Sequence, residues 1–395
     1  MSNAFSDFAE AASRQHRAVP SSVPSFGRVA VLGGGADARL LAALCLSEGC
    51  DVALFSAYGA ELEALRASSG VALRGAGPVG SYQVDRAAAP SIQTTAELDR
   101  AVAGAEVIFL TGPVHKQRTY AMVLADHLSD GQVLVLPEAR SLGALEAAWF
   151  LRIGGCAADV TLVELHGVPY WSAAAGAVLT LSTRTPCAAA ALPSGRGAVL
   201  DALAALLGPL DIKDSVLASG FADASALVEF PALLMSGPAL GSGAIPVPMG
   251  GTVLPENQSF ASLIGPEQRN VIDRLAEERR QVARAFGVRD LPDTDTWIGC
   301  RAGALKGEGT RPIPETETAK AMLRDGVIGS LVPLCSAAAL TGTDVPVTRA
   351  MITLASAVLG ADVAAAGRRL DTIGIAVTDI DTARQAMDAI ATGAR

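Results

Sequence analysis

The stretch that most constrains how this chain can fold is 28–43, where apolar residues lead into Gly33-Gly34-Gly35 and a helix-forming run follows. This order predicts a buried strand, a tight turn and the start of a helix. Gly33, Gly35 and Ala38 match the form G-x-G-x-x-G/A of dinucleotide-binding folds. The first glycine permits the turn, the second lets the backbone approach a pyrophosphate, and the small third residue lets helix and strand pack closely. The sequence therefore predicts that a dinucleotide phosphate meets the unpaired N–H groups at the start of this helix.

A second apolar strand, Asp51–Phe55, follows at the spacing of one βαβ unit, which separates this turn from glycine-rich turns that bind no ligand. The next residue is Ser56, whereas a NAD site usually has Asp or Glu there to bind the ribose 2′-OH. Without a carboxylate nothing repels a 2′-phosphate, and Arg39 or Arg66 can neutralise one. The sequence therefore favours NADP(H) over NAD(H), and a site that accepts either is the alternative. The predicted cofactor-binding residues are Gly33, Gly34, Gly35, Ala36, Ala38, Arg39, Ser56, Thr111, Gly112 and Pro113.

Composition and charge exclude several classes of partner. The 395 residues are 50% hydrophobic, and the formal net charge of -9 argues against nucleic acid or an anionic membrane as the main partner. The six cysteines are scattered without a C-x-x-C pair, which is typical of thiols in a reducing compartment and predicts neither a disulfide framework nor a metal site. We expect no segment to cross a bilayer and find no secretory signal at the N-terminus, so the expected location is the cytoplasm.

Regular alternation of strands and helices predicts an α/β fold, a Rossmann-type doubly wound sheet, followed by a mostly helical C-terminal domain. The expected boundaries are a flexible tail at 1–26, a dinucleotide-binding domain at 27–213 and a helical substrate domain at 214–395, with a loop at 237–251 as a candidate lid. Beyond the first two strands, we predict a hairpin at 71–73 and 80–84 and strands at 106–110, 132–136, 160–165 and 177–182. The predicted helices after the first are 61–67, 97–102, 118–128, 142–151, 197–207, 267–286 and 348–359.

Short segments spread over almost the whole chain after residue 27 follow one another in the order and spacing of a known family. They are Gly33-Gly34-Gly35, 52–55, 70–75, 128–136, 163–165, 169–170, 275–288, 325–334, 345–346 and 367–368. On these segments the chain resembles the opine dehydrogenases, the octopine and nopaline dehydrogenase family, whose members pair a Rossmann domain with a helical domain.

The resemblance implies a nicotinamide-dependent enzyme that condenses a 2-oxo acid with the amine of an amino acid and reduces the imine to a secondary amine. It also implies a His–Asp pair for proton transfer, with the histidine in an N-x-N-x-x-x-H-P context. In this chain Phe230 stands at the place of the histidine, Ala224 and Ala226 replace the asparagines, and the aspartate matches Asp325. The family's arginine for the oxo acid's carboxylate matches Lys320, which keeps the charge but not the bidentate geometry.

The missing histidine leaves proton transfer to other groups. His166 follows a predicted strand, and His115 lies in the predicted loop after another, so both imidazoles are expected to face the cleft; the alternative is that they bond to backbone or water. Glu229, beside the vacated position, is a general acid if burial raises its pKa, and otherwise a solvated or paired carboxylate. Asp325 orients a partner or caps a helix. The predicted catalytic residues are Asp325, His166 and Glu229, and the predicted substrate-binding residues are Lys320, His115, Glu164 and Phe230.

Two classes of function follow. The first is an NAD(P)H-dependent reductase that makes an opine-like secondary amine from a small carbonyl compound and an amine, in specialised metabolism. The second is a catalytically degenerate homologue that binds a nucleotide or a protein partner, which the loss of the histidine and both asparagines favours. A dehydrogenase of ordinary alcohols on the same two-domain plan is a third. The sequence does not determine the oligomeric state, although the helical region is apolar enough to form the face of a homodimer.

Overall fold

The centre of the molecule is a sheet of eight strands, seen in a computed structural model that describes residues 26–87, 90–235, 259–375 and 379–391. The strands of the described residues, in chain order, are β1 (Arg28–Leu32), β2 (Asp51–Phe55), β3 (Gly70–Gly75), β4 (Gly80–Gln83), β5 (Gln93–Thr95), β6 (Val107–Leu110), β7 (Val133–Leu136), β8 (Thr161–Leu165), β9 (Tyr170–Ala175), β10 (Val178–Thr183), β11 (Ala188–Leu192) and β12 (Asp211–Ile212).

The central sheet has the order β12-β11-β8-β7-β6-β1-β2-β5, with all neighbours parallel except β8 and β11. Strands β6 and β7 are short apolar runs buried along their whole length, as parallel strands covered on both faces require. The strand order reverses between β1 and β6, and a crevice opens at such a switch point beyond the carboxyl ends of the strands. The predicted Rossmann-type sheet is confirmed.

The second sheet, of four strands in the order β4-β3-β10-β9, corrects two expectations. The strand predicted at 177–182 exists as β10, but it pairs with β3 and β9 and not with the central sheet. The place beside β8 is taken by β11, a strand that was not predicted. Four of the five residues of β11 are alanine, a residue with no preference for strands, so the local pattern carried no signal.

Helices cover the central sheet and form most of the chain after β12. In chain order they are α1 (Ala36–Ser47), α2 (Gly59–Ala67), α3 (Leu98–Val102), α4 (Val114–Leu124), α5 (Gly143–Ile153), α6 (Ala198–Leu207), α7 (Val216–Ala222), α8 (Ser225–Leu234), α9 (Pro266–Ala285), α10 (Thr294–Ala302), α11 (Thr316–Gly326), α12 (Val332–Thr341), α13 (Pro346–Leu359) and α14 (Ile380–Ala391). The mostly helical C-terminal region is confirmed, while its boundary at residue 213 stays a prediction.

The helical region has its own apolar core, in which α8, α9 and α11 pack around Phe230, Phe260 and Trp297. Helix α9 begins with Gly265 and Pro266 and ends before Gly287, whose φ of +83° suits a glycine after a helix. Among the predicted helices, 118–128 is displaced: α4 starts at Val114, because the extended Pro113 caps it directly after the strand β6. His115 therefore lies in the first turn of a helix and not in a loop.

Two helical stretches, Val216–Leu234 and Thr316–Thr341, are long and apolar enough to cross a membrane by length and composition, and a bent pair, Pro346–Leu359 with Ala364–Ile373, is a third candidate. The expectation that no segment crosses a bilayer stays a prediction, since this criterion concerns length and composition only. In the structure, 89% of the first apolar window and 67% of the second are buried inside the molecule. Their apolar side chains therefore supply the protein's own core.

Two predicted segments lie wholly or almost wholly outside the described residues. They are the tail at 1–26, of which only Phe26 is described, and the candidate lid at 237–251.

Candidate functional site

The glycine turn between β1 and α1 has the geometry that a dinucleotide phosphate requires. The N–H of Gly33 donates to the carbonyl oxygen of Phe55 at 2.8 Å, and the φ of Gly33 is +136°. A Cβ atom on Gly33 would lie 2.1 Å from Oγ1 of Thr111, so only glycine fits. Gly35 caps α1, and no heavy atom lies within 4 Å of the place where its Cβ would be. The backbone at the start of α1 is therefore open to a pyrophosphate, and the residues present fit a nicotinamide dinucleotide.

The other predicted cofactor-binding residues on α1 and directly after β6 lie at the same edge of the central sheet. Ala36 begins α1 and Ala38 is buried behind the turn. Thr111 donates from both its N–H and its hydroxyl to the carbonyl oxygen of Leu32, at 3.0 and 2.7 Å, which ties the end of β6 to β1. Gly112 has a φ of +113°, and Pro113 caps α4. The carboxyl ends of two neighbouring parallel strands thus form one ligand edge.

The end of β2 differs from the sequence expectation, because a carboxylate is present there. Ser56 is buried, and its hydroxyl donates to Oε2 of Glu61 at 2.5 Å. The same Oε2 lies 1.9 Å from the place where a Cβ of Gly34 would be, so this carboxylate stands against the glycine turn. Arg66 pairs with Asp85 at 3.0 Å. A carboxylate from the next helix therefore lies beside Ser56, and the preference for NADP(H) stays a prediction.

Arg39, the other cation expected to neutralise a 2′-phosphate, points to the second sheet. Its Nη1 donates to the carbonyl oxygen of Gly176 at 2.7 Å.

The structure brings together two residues that the sequence analysis proposed separately. Nδ1 of His115, in the first turn of α4, lies 3.5 Å from Oδ1 of Asp325, near the end of α11. The two side chains are 32% and 16% exposed, so both are accessible to a small molecule. A carboxylate beside an imidazole at the carboxyl end of β6 is an arrangement that can orient the ring for proton transfer.

Helix α11 continues into a π-helical segment, Val327–Leu331, a form of helix that is frequent at functional sites. A Cβ on Gly329 in this segment would lie 2.8 Å from Cβ of Arg140, and a Cβ on Gly326 would lie 2.4 Å from Cε2 of Phe230. Phe230 therefore packs against the backbone beside Asp325, and in the place of the family's histidine it offers no group that carries a proton.

His166, after β8, is 5% exposed and lies between two carboxylates. Its Nε2 is 3.7 Å from Oε1 of Glu164 and 2.8 Å from Oγ of Ser219, and its Nδ1 is 3.7 Å from Oδ1 of Asp223. Burial opposes the imidazolium, but Asp223 and Glu164 outweigh burial and raise the pKa of His166 to about 9. In return His166, and after it Arg140, hold the pKa of Asp223 well below its usual range despite burial. The imidazole of His166 is therefore charged at neutral pH.

A cluster of buried charges beside His166 was missed by the sequence analysis, and we call it the arginine cluster. It consists of Glu138, Glu229, Arg140, Arg184, Arg301 and Arg311.

Glu138, directly after β7, is the meeting point of three of these arginines. Its carboxylate lies 3.2 Å from Nη2 of Arg301, 3.5 Å from Nη2 of Arg140 and 3.6 Å from Nη1 of Arg184. Arg184 and Arg301 also donate to the carbonyl oxygen of His166, at 2.9 and 3.2 Å. The cluster thus connects the ends of β7 and β8 to helix α10.

Glu229 does not have the environment of a general acid. Its Oε1 accepts from Nε of Arg301 at 2.6 Å and from Nη2 of Arg311 at 2.9 Å. Burial alone would raise its pKa, but the two arginines outweigh burial and lower it. The expectation that burial keeps Glu229 protonated is therefore wrong, and Glu229 is the paired carboxylate of the alternative interpretation.

The remaining predicted substrate residues have partners nearby. Nζ of Lys320 pairs with Glu317 one turn earlier on α11 at 2.9 Å, and the lysine side chain is 36% exposed. Oε2 of Glu164 accepts from the backbone N–H of Ala144 at 3.2 Å, so this carboxylate ties β8 to the start of α5. Arg368, in the last of the segments that carry the resemblance, pairs with Glu146 at 2.9 Å.

Comparison with known proteins gives relatives over most of the chain. No family model matches. An opine dehydrogenase of Arthrobacter sp. (strain 1C) is 23% identical over 360 residues, which cover 88% of this chain and 94% of that protein. A solved structure of octopine dehydrogenase with NADH and pyruvate has a TM-score of 0.64 at 18% identity, covering 93% of this chain and 98% of that one. A yersinopine dehydrogenase with NADP+ bound has a TM-score of 0.61 at 13% identity, covering 93% and 99%.

Proposed function

We infer that this chain is a divergent member of the opine dehydrogenase family and an NAD(P)-dependent oxidoreductase. The likeness to the Arthrobacter opine dehydrogenase extends over most of both chains. The turn at Gly33-Gly34-Gly35 has the open backbone that a dinucleotide phosphate needs. When bound, NAD(P)H supplies the hydride, and the residues at the carboxyl ends of β1 and β6 are the ones that would hold it.

For the reaction we propose reduction of an imine, formed from a 2-oxo acid or another carbonyl compound and the amine of an amino acid. Formation of the imine moves both hydrogens of the neutral amine to the carbonyl oxygen, which leaves as water. A hydride on the imine carbon and a proton on the imine nitrogen then give the secondary amine. The chain must therefore supply a group that gives and takes a proton in the crevice.

The observation that carries this proposal is the contact between His115 and Asp325. In the family the resemblance points to, a histidine of the helical domain works with the aspartate, and Phe230 occupies that place here. His115 approaches Asp325 from the helix that follows β6, at 3.5 Å. We propose that His115 is the proton-transfer group, that Asp325 orients it, and that His166 acts through its neighbours as a positioning residue.

The placement of His166 supports that division of roles. Its imidazole is 5% exposed and engaged with Ser219 and two carboxylates, whereas His115 is accessible. With a pKa raised to about 9, His166 is a permanent cation in the neutral range and a poor base.

We propose NAD(H) as the preferred coenzyme, in place of the NADP(H) that the sequence favours. The carboxylate of Glu61 beside Gly34 repels a 2′-phosphate, and a carboxylate near the end of β2 is suited to the ribose hydroxyls. Arg39 and Arg66, the cations that favoured NADP(H), donate to Gly176 and to Asp85 and Thr94.

The proposal is tested by following the absorbance of NADH during addition of pyruvate alone, of an amino acid alone, and of both. Oxidation only with both compounds supports imine reduction. Oxidation with the carbonyl compound alone favours an ordinary carbonyl reductase, and binding of NADH without turnover of any pair favours the catalytically degenerate homologue. The site assignment is tested with His115→Ala, which we expect to lower kcat by about 100-fold or more. The control is His127→Ala, in the turn that follows α4, which should leave kcat unchanged.

A cytoplasmic location and a homodimer stay part of the proposal. The first rests on the expected dependence on a cellular coenzyme pool and is tested by fractionation. The second rests on the apolar helical region and is tested by light scattering of the purified protein.

A further inference from the structure

Arg140 has buried N–H groups without a partner at the ligand edge of the sheet. Its residue exposure is 5%, and its Nε and Nη1 atoms have no hydrogen-bond partner among the described residues. Its Nη2 lies 3.5 Å from Oε2 of Glu138, which is a long ion pair. A buried guanidinium with so few hydrogen bonds is costly, because the desolvation of each N–H is not repaid.

The other three arginines of the arginine cluster are held in place by the protein. Arg301 and Arg311 share Oε1 of Glu229, and Arg311 also donates to the carbonyl oxygen of Arg301 at 2.7 Å. Arg184 donates to the carbonyl oxygens of Val168 and His166 at 3.2 and 2.9 Å. Nε of Arg184 also has no hydrogen-bond partner among the described residues, but Arg140 is the member of the cluster with two such groups, Nε and Nη1.

The backbone also holds Arg140 in an unusual position. Its φ is +59°, in the left-handed region that a non-glycine residue adopts only when its surroundings impose it. The carbonyl oxygens before and after it, of Ala139 and Ser141, both accept from Nη1 of Arg368, and Gly329 leaves room for its Cβ. The loop after β7 is therefore built around Arg140.

Within the arginine cluster four guanidinium groups stand beside two carboxylates. Two carboxylates outside the cluster, Asp223 and Asp37, also interact electrostatically with Arg140 and offset part of this surplus of cations. Burial, with Arg301 and Arg184 nearby, lowers the pKa of Arg311 to about 10 although Glu229 opposes this. One further anion in the crevice would relieve this crowding of cations.

We propose that Arg140 binds a carboxylate of the substrate. This inference rests on the proposed function and deepens it, since it assigns carboxylate binding to the loop after β7 and not to Lys320, which pairs with Glu317 at the edge of α11. The Nε and Nη1 groups of Arg140 donate to the carboxylate oxygens, and Arg184, Arg301 and Arg311 add charge without direct contact. A buried guanidinium of this kind binds substrates that carry a carboxylate more tightly than analogues that lack one.

The experiment measures binding of pyruvate, glyoxylate and 2-oxoglutarate to the protein saturated with NADH, by calorimetry and by quenching of tryptophan fluorescence. Trp171 is a suitable reporter, because the guanidinium groups of Arg184 and Arg311 lie 4.1 and 4.5 Å from its ring. Arg140→Gln should weaken the tightest of these carboxylates by about 10- to 100-fold, and Arg140→Lys by less, with the Kd of NADH unchanged. The control is Arg274→Gln, at an exposed position of α9, which should bind the oxo acids and NADH with the affinities of the wild type.

Two matched pairs identify which reactant brings the carboxylate. Pyruvate against acetaldehyde tests the carbonyl compound, and L-arginine against agmatine, its counterpart without a carboxylate, tests the amine. The proposal is overturned if none of the oxo acids or L-arginine binds the wild type, or if Arg140→Gln binds them equally well. The proposed imine reduction is tested separately, by turnover. If no turnover is found but carboxylates still bind in a way that depends on Arg140, only the proposed reaction is overturned.

Discussion

Among single residues, His166 makes the stability of the protein depend on pH. Its pKa is raised from 6.5 to about 9 in the folded protein, because the carboxylates of Asp223 and Glu164 outweigh the effect of burial. A group whose pKa is raised by folding stabilises the fold fully below its unfolded pKa, and this stabilisation is lost as the pH rises through the folded value. The window is therefore from 6.5 to about 9.

We expect the free energy of unfolding to fall across this window by up to about 3 kcal/mol through His166. The variant His166→Gln cannot titrate and should lack this fall. The measurement is urea unfolding of both proteins at several pH values, with His127→Gln as a histidine variant outside the site. A difference between the wild type and His166→Gln that stays constant with pH would show that His166 is not charged in the fold.

Glu61 is the residue on which the coenzyme preference depends. Its carboxylate, bonded to Ser56 and standing against Gly34, should repel a 2′-phosphate. We expect the wild type to bind NADH more tightly than NADPH, and Glu61→Gln to reduce that ratio by about tenfold, since one charge interaction is removed. The exposed Glu63 on the same helix provides the control, Glu63→Gln. Equal ratios in the wild type and Glu61→Gln would contradict this assignment, and a wild type that prefers NADPH would support the sequence-based prediction.

The residues that sequence reasoning found differ physically from those that it missed. Gly33 and Gly35 belong to a local motif, whose meaning is contained in adjacent residues. Arg140, Arg301 and Glu229 are distant in the chain, so their pairing depends on the tertiary fold and no local pattern encodes it. The position of Arg140 directly after a predicted strand was the one available signal, because parallel strands present ligand residues at their carboxyl ends.

Among the elements, the π-helical segment Val327–Leu331 links the helical region to the ligand edge. Its Gly329 packs against Arg140 and Val114, and the carbonyl oxygen of Ile328 accepts from the N–H of Arg368 at 2.9 Å. The π segment therefore touches the start of α4, which carries His115, and the loop after β7. A substitution in this segment should therefore displace residues both at the start of α4 and in the loop after β7.

We expect Gly329→Ala to weaken carboxylate binding and lower kcat by about tenfold or more, because its Cβ would lie 2.8 Å from Cβ of Arg140 and must displace it. Binding of NADH should change little. The control is Gly299→Ala, at an exposed helical position with no heavy atom within 4 Å of the new Cβ, which should be neutral or slightly stabilising. Steady-state kinetics and NADH titration measure both effects, and full activity of Gly329→Ala would exclude this coupling.

The sheet elements show what a strand pattern contains and what it lacks. The apolar run of β10 predicts a strand correctly, but alternation says only that two faces differ and not which strand is the partner. β10 pairs with β3, about a hundred residues earlier in the chain, in a sheet that the sequence analysis described only as a hairpin. The partner of a strand is set by the fold around it, so the strand predicted at 177–182 exists but lies in the second sheet.

Over the whole molecule, Arg368 connects the C-terminal helical region to the Rossmann-type sheet. It is fully buried, and its Nε donates to Oε2 of Glu146 on α5 at 2.9 Å. Its Nη1 donates to the carbonyl oxygens of Ala139 and Ser141, on either side of Arg140. One side chain thus holds two regions of the chain together and fixes the loop that carries the proposed carboxylate-binding residue.

Removal of one member of such a buried ion pair leaves an uncompensated charge, and we expect Arg368→Ala to reduce the free energy of unfolding by about 3 to 5 kcal/mol. Glu146→Ala should cost a similar amount, and the double variant should cost clearly less than the two added together, because the pair is lost only once. The neighbouring Arg369→Ala, whose partner Asp371 is exposed, should stay within about 0.5 kcal/mol of the wild type. Urea unfolding measures all four variants. Additive costs at positions 368 and 146 would mean that the two regions are held together by other contacts, and the loop around Arg140 would then need another support.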